Sequence, residues 1–188
     1  VRIISGNHKG RAIRAPHNLP VRPTTDFAKT ALFNILNNHF DFAETKVLDL
    51  FCGTGNISYE FLSRGCTSVT CVDNNTGCIE FVKEFSEKHF PGMMHAMRSD
   101  AFRYIKNCHT TFDIIFADPP FSMSNVWELP DLILSQNILN KNGWLILEHS
   151  SHSKPTCKAI ISETRKYGHT SFSFFKPLTQ SPSPLERG

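Results

Sequence analysis

Val47 to Ser58 reads VLDLFCGTGNIS, and the interpretation of this stretch decides the fold. Val47-Leu48-Asp49-Leu50-Phe51 is an apolar run of the right length for one buried parallel strand. It ends in Cys52-Gly53-Thr54-Gly55, and a helical pattern starts at Asn56 with Ile57, Phe61 and Leu62 on one face. Strand, glycine turn and helix are how a doubly wound sheet brings bare backbone up to a ligand. Two glycines alone are a weak signal, because GxG also occurs in ordinary turns. Asp49 adds to it. A carboxylate, which only accepts hydrogen bonds, suits a ligand with an ammonium group, such as S-adenosylmethionine, and would repel the pyrophosphate of NAD. The third glycine of the dinucleotide fingerprint is also missing, since Ser58 stands there.

A chain of 188 residues is one domain with room for an appendage. No apolar run approaches membrane-spanning length and no charged-then-apolar leader is visible. A cytoplasmic protein, with no membrane partner, is expected. The six cysteines include no CxxC pair, so reduced, packed thiols are expected. His149 and His152 form a lone HxxH. It lacks a third ligand, and a solvated loop with no metal is expected there.

The net charge of +3 conceals an asymmetry. Residues 1–40 hold six Lys/Arg (Arg2, Lys9, Arg11, Arg14, Arg22, Lys29) and one acid, Asp26, against fourteen basic and sixteen acidic residues elsewhere. Such a basic segment either grips a polyanion or merely solubilises the chain. Arg2 to Ser5 and Arg11 to Arg14 are strand-like around the turn Gly6 to Gly10, which predicts a basic hairpin whose arginines can meet phosphates. Pro16 to Pro23 reads as an extended connector. Thr24 or Thr25 can cap a helix whose apolar face is Phe27, Ala31, Leu32, Ile35 and Leu36.

Beyond the opening strand the alternation is regular. Strands are predicted at 68–72, 93–97, 112–117, 144–148 and 170–176, and helices at 75–89, about 101–106, 126–140 and 155–167. This order implies a Rossmann-like, doubly wound α/β fold with a mostly parallel sheet covered on both faces. The tail from Gln180 looks disordered.

Ligands bind such sheets at the carboxyl ends of the strands. Asp49, Asp73, Asp100 and Asp118 all fall at or just beyond predicted strand ends. Asp73 lies about twenty residues past the glycine turn, where an acid grips ribose hydroxyls. Asp100 can accept from an adenine amino group or simply cap the next helix. Asp118-Pro119-Pro120-Phe121 is the most specific tetrapeptide. Pro120 restricts Pro119 to extended geometry and neither proline donates a hydrogen bond, so their carbonyls and the Asp118 carboxylate form a rigid group of acceptors. That group suits an exocyclic amino group of a base, whose lone pair it would localise for attack on a sulfonium methyl. Phe121 can stack on a flipped base. The alternative is a strand-terminating turn with a core phenylalanine, and the upstream Asp49, Gly53 and Gly55 favour the catalytic interpretation.

DLFCGTGNIS, the acid at Asp73, SDAF and DPPF resemble class I S-adenosylmethionine-dependent methyltransferases acting on amino groups. RIISGNHKGRAI and RPTTDFAKTALFNIL narrow this: the chain, to about Lys176, is similar to the RsmD family, which methylates guanine N2 in bacterial small-subunit (16S) ribosomal RNA. The resemblance implies a seven-stranded methyltransferase sheet behind an N-terminal basic β-hairpin and helix. Residues 1–40 would be an RNA-contacting extension, 41–178 the methyltransferase domain and 179–188 a disordered tail. It implies S-adenosylmethionine held by Asp49, Gly53, Thr54, Gly55, Asp73, Asn74, Asp100 and Ala101, and catalysis by Asp118, Pro119, Pro120 and Phe121. Lys9, Arg11, Arg14 and Arg22 would touch RNA, with Arg22 and Thr24 near the cofactor entrance. The partner would be ribosomal RNA or a small-subunit particle, met by a monomer. The family usually has a basic residue and a glutamate where this chain has Phe27 and Thr30. Two rivals are an adenine-N6 DNA or RNA methyltransferase, which shares a (D/N)PP(Y/F) motif, and a non-catalytic RNA-binding protein on the same scaffold.

Overall fold

The structure, a computed structural model, describes residues 1–16, 19 and 24–177. The Pro16–Pro23 connector falls largely outside that set, and Arg22 and the tail at 179–188 fall wholly outside it. Among the described residues seven strands form one sheet: β1 (Lys46–Leu50), β2 (Ser68–Asp73), β3 (Met94–Arg98), β4 (Phe112–Ala117), β5 (Leu139–Ser150), β6 (Ile161–Tyr167) and β7 (Thr170–Phe175). Their spatial order is β3-β2-β1-β4-β5-β7-β6. Strands β1 to β5 are parallel and β7 runs antiparallel between β5 and β6. The helices are α1 (Asp26–Asn37), α2 (Asn56–Ser63), α3 (Thr76–His89), α4 (Ala101–Lys106) and α5 (Glu128–Ser135). The expected doubly wound, mostly parallel seven-stranded α/β sheet is therefore present.

Strand periodicity sorts the core into two layers. Val47, Ile114, Phe116 and Ile146 face α1, α2 and α3. Leu48, Leu50, Ile115, Leu145 and Leu147 face α4 and α5. Asp49 shares the phase of Val47, so its carboxyl is directed toward α2, where Ser58 meets it.

The N-terminal segment departs from a plain hairpin. Its ladder is a single bridge, Arg2 to Ala12, with Ile3 N–H donating to the Arg11 carbonyl. The Gly10 and Ile13 amides close the pair on the Ile3 and Val1 carbonyls, and further donors go to α2. The Ile4 and Ser5 amides donate to the Glu60 carboxylate at 2.8 and 3.0 Å. The Asn7 amide donates to the Ser63 carbonyl at 2.7 Å. Gly6, at φ 79°, lies so close that a Cβ would fall 1.8 Å from that carbonyl oxygen. The segment is a strap across α2, and all eight residues of that helix are buried as a result.

Two helix expectations need correction. Residues 155–167 are not helical: 161–167 form β6, the edge strand. ISETRKY is polar along most of its length and its inner residues are exposed. No alternation marks it as a strand; pairing with β7 decides, and its charges blunt the open edge. The helix expected over 126–140 is confined to Glu128–Ser135. Asn137, at φ 53°, turns the chain away, and β5 already begins at Leu139.

Candidate active site

The carboxyl ends of β1, β2 and β4 are tied together by backbone. The Cys52 amide donates to the Val72 carbonyl at 3.0 Å, the Ser99 amide to Asp73 at 3.0 Å, and the Asp118 amide to Leu50 at 3.3 Å. Those bonds set the glycine turn beside the start of DPPF. Gly53 and Gly55 both have positive φ, and a Cβ on Gly55 would come within 2.7 Å of the buried Tyr59 ring. Phe51 also sits at φ 62°, a left-handed conformation that costs an aromatic residue on the order of 1–3 kcal/mol. Strain of this kind collects at ligand sites.

Asp73 clamps the turn. Its Oδ2 accepts from the Gly53 amide at 2.9 Å and its Oδ1 from the Asn75 amide at 2.8 Å, while the residue stays half-exposed. Each oxygen retains a lone pair for a further donor. Asn74 is exposed beside it. Asp100 is exposed and caps α4, accepting from the Arg103 amide at 2.9 Å. Ala101 and Thr54 are buried.

Asp49 is 1% exposed and accepts from Ser58 Oγ at 2.5 Å. Ser58 Oγ in turn lies 2.9 Å from Cys71 Sγ. Burial pushes the Asp49 carboxyl up to about 7, against the Ser58 hydrogen bond and helped by the Asp73 charge. All six cysteines are free and four are buried. Burial raises the Cys66 thiol to about 12 and the Cys78 thiol to about 11.

Beyond the glycine turn, DPPF opens onto a cavity of about 230 Å³. Its walls include Pro119, Pro120, Phe121, Trp127, Glu148 and His149. Pro119 is buried and Phe121 is 46% exposed. The Met123 amide donates to the Pro120 carbonyl at 2.8 Å, closing the turn after the motif. Glu148, 4% exposed, accepts from Thr24 Oγ1 at 2.8 Å, which brings the entry to α1 over the end of β5. His149 is buried, not in a solvated loop. Its Nδ1 lies 2.9 Å from the Ser150 carbonyl, its Nε2 lies 2.8 Å from Ser173 Oγ, and its ring packs on Trp127 at 4.7 Å. Burial lowers its pKa, with the Ser150 carbonyl opposing. Among the described residues no cluster of three or more His, Cys, Asp or Glu could hold a metal ion.

Glu148, Trp127 and His149 were absent from the sequence-derived site. Glu148 had a usable signal, an acid closing a predicted strand as Asp73 does. Trp127 and His149 had none beyond their residue types. The basic turn of the strap lies elsewhere. Lys9 and Arg11 are exposed at its turn, and Arg11 Nη1 meets His89 Nδ1 at 2.8 Å at the last residue of α3. Helices α2 and α3 run back from the glycine-turn edge, so the strap's turn, at their last residues, sits at the amino edge of the sheet. Arg14 follows on the return, also exposed.

A seven-stranded sheet with one antiparallel strand, a glycine turn after β1, an acid ending β2 and DPPF after β4 define a class I methyltransferase. The family model described as "Conserved hypothetical protein 95" matches residues 1–176, and the chain belongs to that family, the RsmD methyltransferases. The Bacillus subtilis protein YlbH is 34% identical over 184 residues, spanning 94% of this chain and 98% of its own. Ribosomal RNA small subunit methyltransferase D of Escherichia coli K12 is 30% identical over 145 residues, 77% of this chain and 69% of its own. The solved structure of Escherichia coli yhhF shares the fold with a TM-score of 0.81 at 24% identity, covering 96% of this chain and 99% of that one.

Proposed function

We propose that the protein transfers a methyl group from S-adenosylmethionine to the exocyclic N2 of a guanine in small-subunit (16S) ribosomal RNA. The observation that carries this is DPPF at the end of β4, bonded to the glycine-turn strand and opening onto a small cavity with aromatic and carboxylate walls. Relatives named ribosomal RNA small subunit methyltransferase D supply the substrate class. The setting is the cytoplasm and the partner ribosomal RNA or a small-subunit particle, met by a monomer. Among the described residues no helix is long and apolar enough to cross a membrane.

The donor set fits the cofactor. Gly53, Thr54 and Gly55 would offer close backbone, Asp73 and Asn74 would hold the ribose, Asp100 and Ala101 the adenine, and Asp49, buried under α2, would complement the positive charge without touching it. S-adenosylmethionine supplies an electrophilic methyl carbon when bound. Asp118 and the Pro119 carbonyl accept hydrogen bonds from the amino group, localise its lone pair for in-line attack, and give the released proton a path to solvent. Phe121 stacks on the base. Guanine presents two adjacent donors, N1–H and N2–H, which a carboxylate matches.

Labelled S-adenosylmethionine incubated with 16S RNA, free and in subunit particles, followed by nucleoside analysis, tests this. N2-methylguanine is expected. Asp118→Asn keeps cofactor binding and loses roughly two or more orders of magnitude in turnover. N6-methyladenine from the wild type, or an Asn variant at the wild-type rate, overturns the assignment.

A further inference from the structure

The basic turn of the strap lies at the sheet edge opposite DPPF. RNA seated in the cavity therefore needs contacts of another kind nearby. Residues 149–176 carry five Lys/Arg and one acid, Glu163, and Arg165 takes that acid up in an ion pair of 2.7 Å. This charge block is hidden in the sequence totals because acidic stretches surround it.

The fold places part of the block on the rim of the cavity. Register pairs Ser150, Thr170 and Tyr167 across β5, β7 and β6, at the same edge as Ala117 and DPPF. The loop after β5 is tied to the β6–β7 turn: the Ser151 amide donates to the His169 carbonyl at 2.9 Å and Ser151 Oγ to the Gly168 carbonyl at 3.2 Å. Trp127 Nε1 donates to Ser153 Oγ at 2.8 Å, fixing the loop to the cavity wall. Lys154 lines the cavity mouth and is exposed, as is Lys166.

Aromatic faces stand at the same sheet edge as these cations, Tyr167 on the α1 face of β6 and Lys166 on the opposite one. Phe27, in the first turn of α1, is 72% exposed and meets the Tyr167 ring edge-on at 5.9 Å. Of the chain's sixteen phenylalanines, Phe27 and Phe121 are the two that remain largely exposed, and both stand at this edge. The rings of His152 and His169 lie tilted to each other, 6.4 Å apart. Exposed aromatic faces beside cations are how single-stranded nucleic acid is held: bases stack, phosphates meet lysines.

We propose that the loop after β5, the β6–β7 turn and Phe27 form a second RNA-binding surface, which grips the single-stranded nucleotides flanking the base in the cavity. Phe27 and Tyr167 stack a flanking base, and Lys154 and Lys166 meet the adjoining phosphates. This rests on the assignment of RNA as substrate. A flipped base leaves its neighbours unstacked, and a rim that restacks them offsets the cost of extrusion.

The test uses the full-length protein and single-stranded RNA oligonucleotides carrying 2-aminopurine beside a guanine, without cofactor. Wild type quenches the fluorescence. Phe27→Ala loses most of the quench and about tenfold in affinity, within the range for one stacked base. Lys154→Gln with Lys166→Gln lowers the salt slope of binding by roughly one to two units. All three side chains are exposed, so circular dichroism melts and cofactor affinity stay at wild-type values. Unchanged quench and unchanged slope in these variants overturn the proposal. Methyl transfer to 16S RNA by the wild type is scored separately. Its absence sinks the enzymatic assignment, whereas the oligonucleotide measurements still decide whether the rim binds RNA.

Discussion

Asp49 shows how one residue is changed by its surroundings. In the chain it is an acid within an apolar strand. In the fold it lies under α2 with a carboxyl raised from 3.8 to about 7, chiefly by burial. The folded state thus holds the proton more tightly than the unfolded state. Its stabilising contribution is complete below about pH 4 and is lost as pH rises toward 7. Wild type should lose on the order of 2–3 kcal/mol relative to Asp49→Asn between pH 5 and pH 7.5, read from urea melts. Parallel stability curves for the two proteins would remove Asp49 as the titrating group. At neutral pH a cationic ligand favours the ionised carboxyl, which links proton release to cofactor binding.

At the scale of the element, α2 is the helix on which both the site and the strap depend. Its N-terminus begins at the glycine turn, and its far face is covered by residues 2–8. Glu60, fully buried, lies at the centre. It accepts from two strap amides, from Arg64 Nε at 2.8 Å, and pairs with Lys29 Nζ at 3.5 Å. Lys29 is equally buried and donates to the Arg2 carbonyl at 2.6 Å and to Asn56 Oδ1 at 2.7 Å. Burial lowers the pKa of Lys29, with Glu60 acting in the opposite direction. Glu60→Gln strands that ammonium and should cost about 3–5 kcal/mol. Adding Lys29→Met should recover part of it. A single variant as stable as wild type would show that the network contributes nothing to docking the strap.

At the scale of the molecule, cations stand at both edges of the sheet. The turn with Lys9 and Arg11 lies one strand length from the glycine turn, roughly 17 Å for a strand of five residues. A short oligonucleotide confined to the cavity should therefore be indifferent to neutralising Lys9 and Arg11 together. A long structured ribosomal RNA should lose roughly one unit of salt slope per phosphate contact removed. Equal losses for short and long RNA would place the strap turn beside the cavity and contradict this separation. Unchanged slopes for both would leave the strap a solubilising surface.

Apolar periodicity, glycine spacing and acids at strand ends determined the sheet, its parallel sense and the DPPF turn, because each is a local pattern that burial imposes on neighbouring positions. VLDLF could be read as a strand from its own residues, and so could FDIIFA before Asp118. ISETRKY could not: an exposed edge strand carries no burial pattern, and its pairing with β7 is a long-range fact. Glu148, His149 and Trp127 came together only in the fold, since β5 and the approach to α5 are separated in the chain and joined by packing. The charge of the 149–176 block was in plain view as composition. Its place on the cavity rim was decided by the antiparallel return of β7, which carries the β6–β7 turn to the carboxyl edge. Residue chemistry is written along the chain, whereas the edge of the sheet to which each group is delivered depends on strand direction and register, which tertiary contacts alone select.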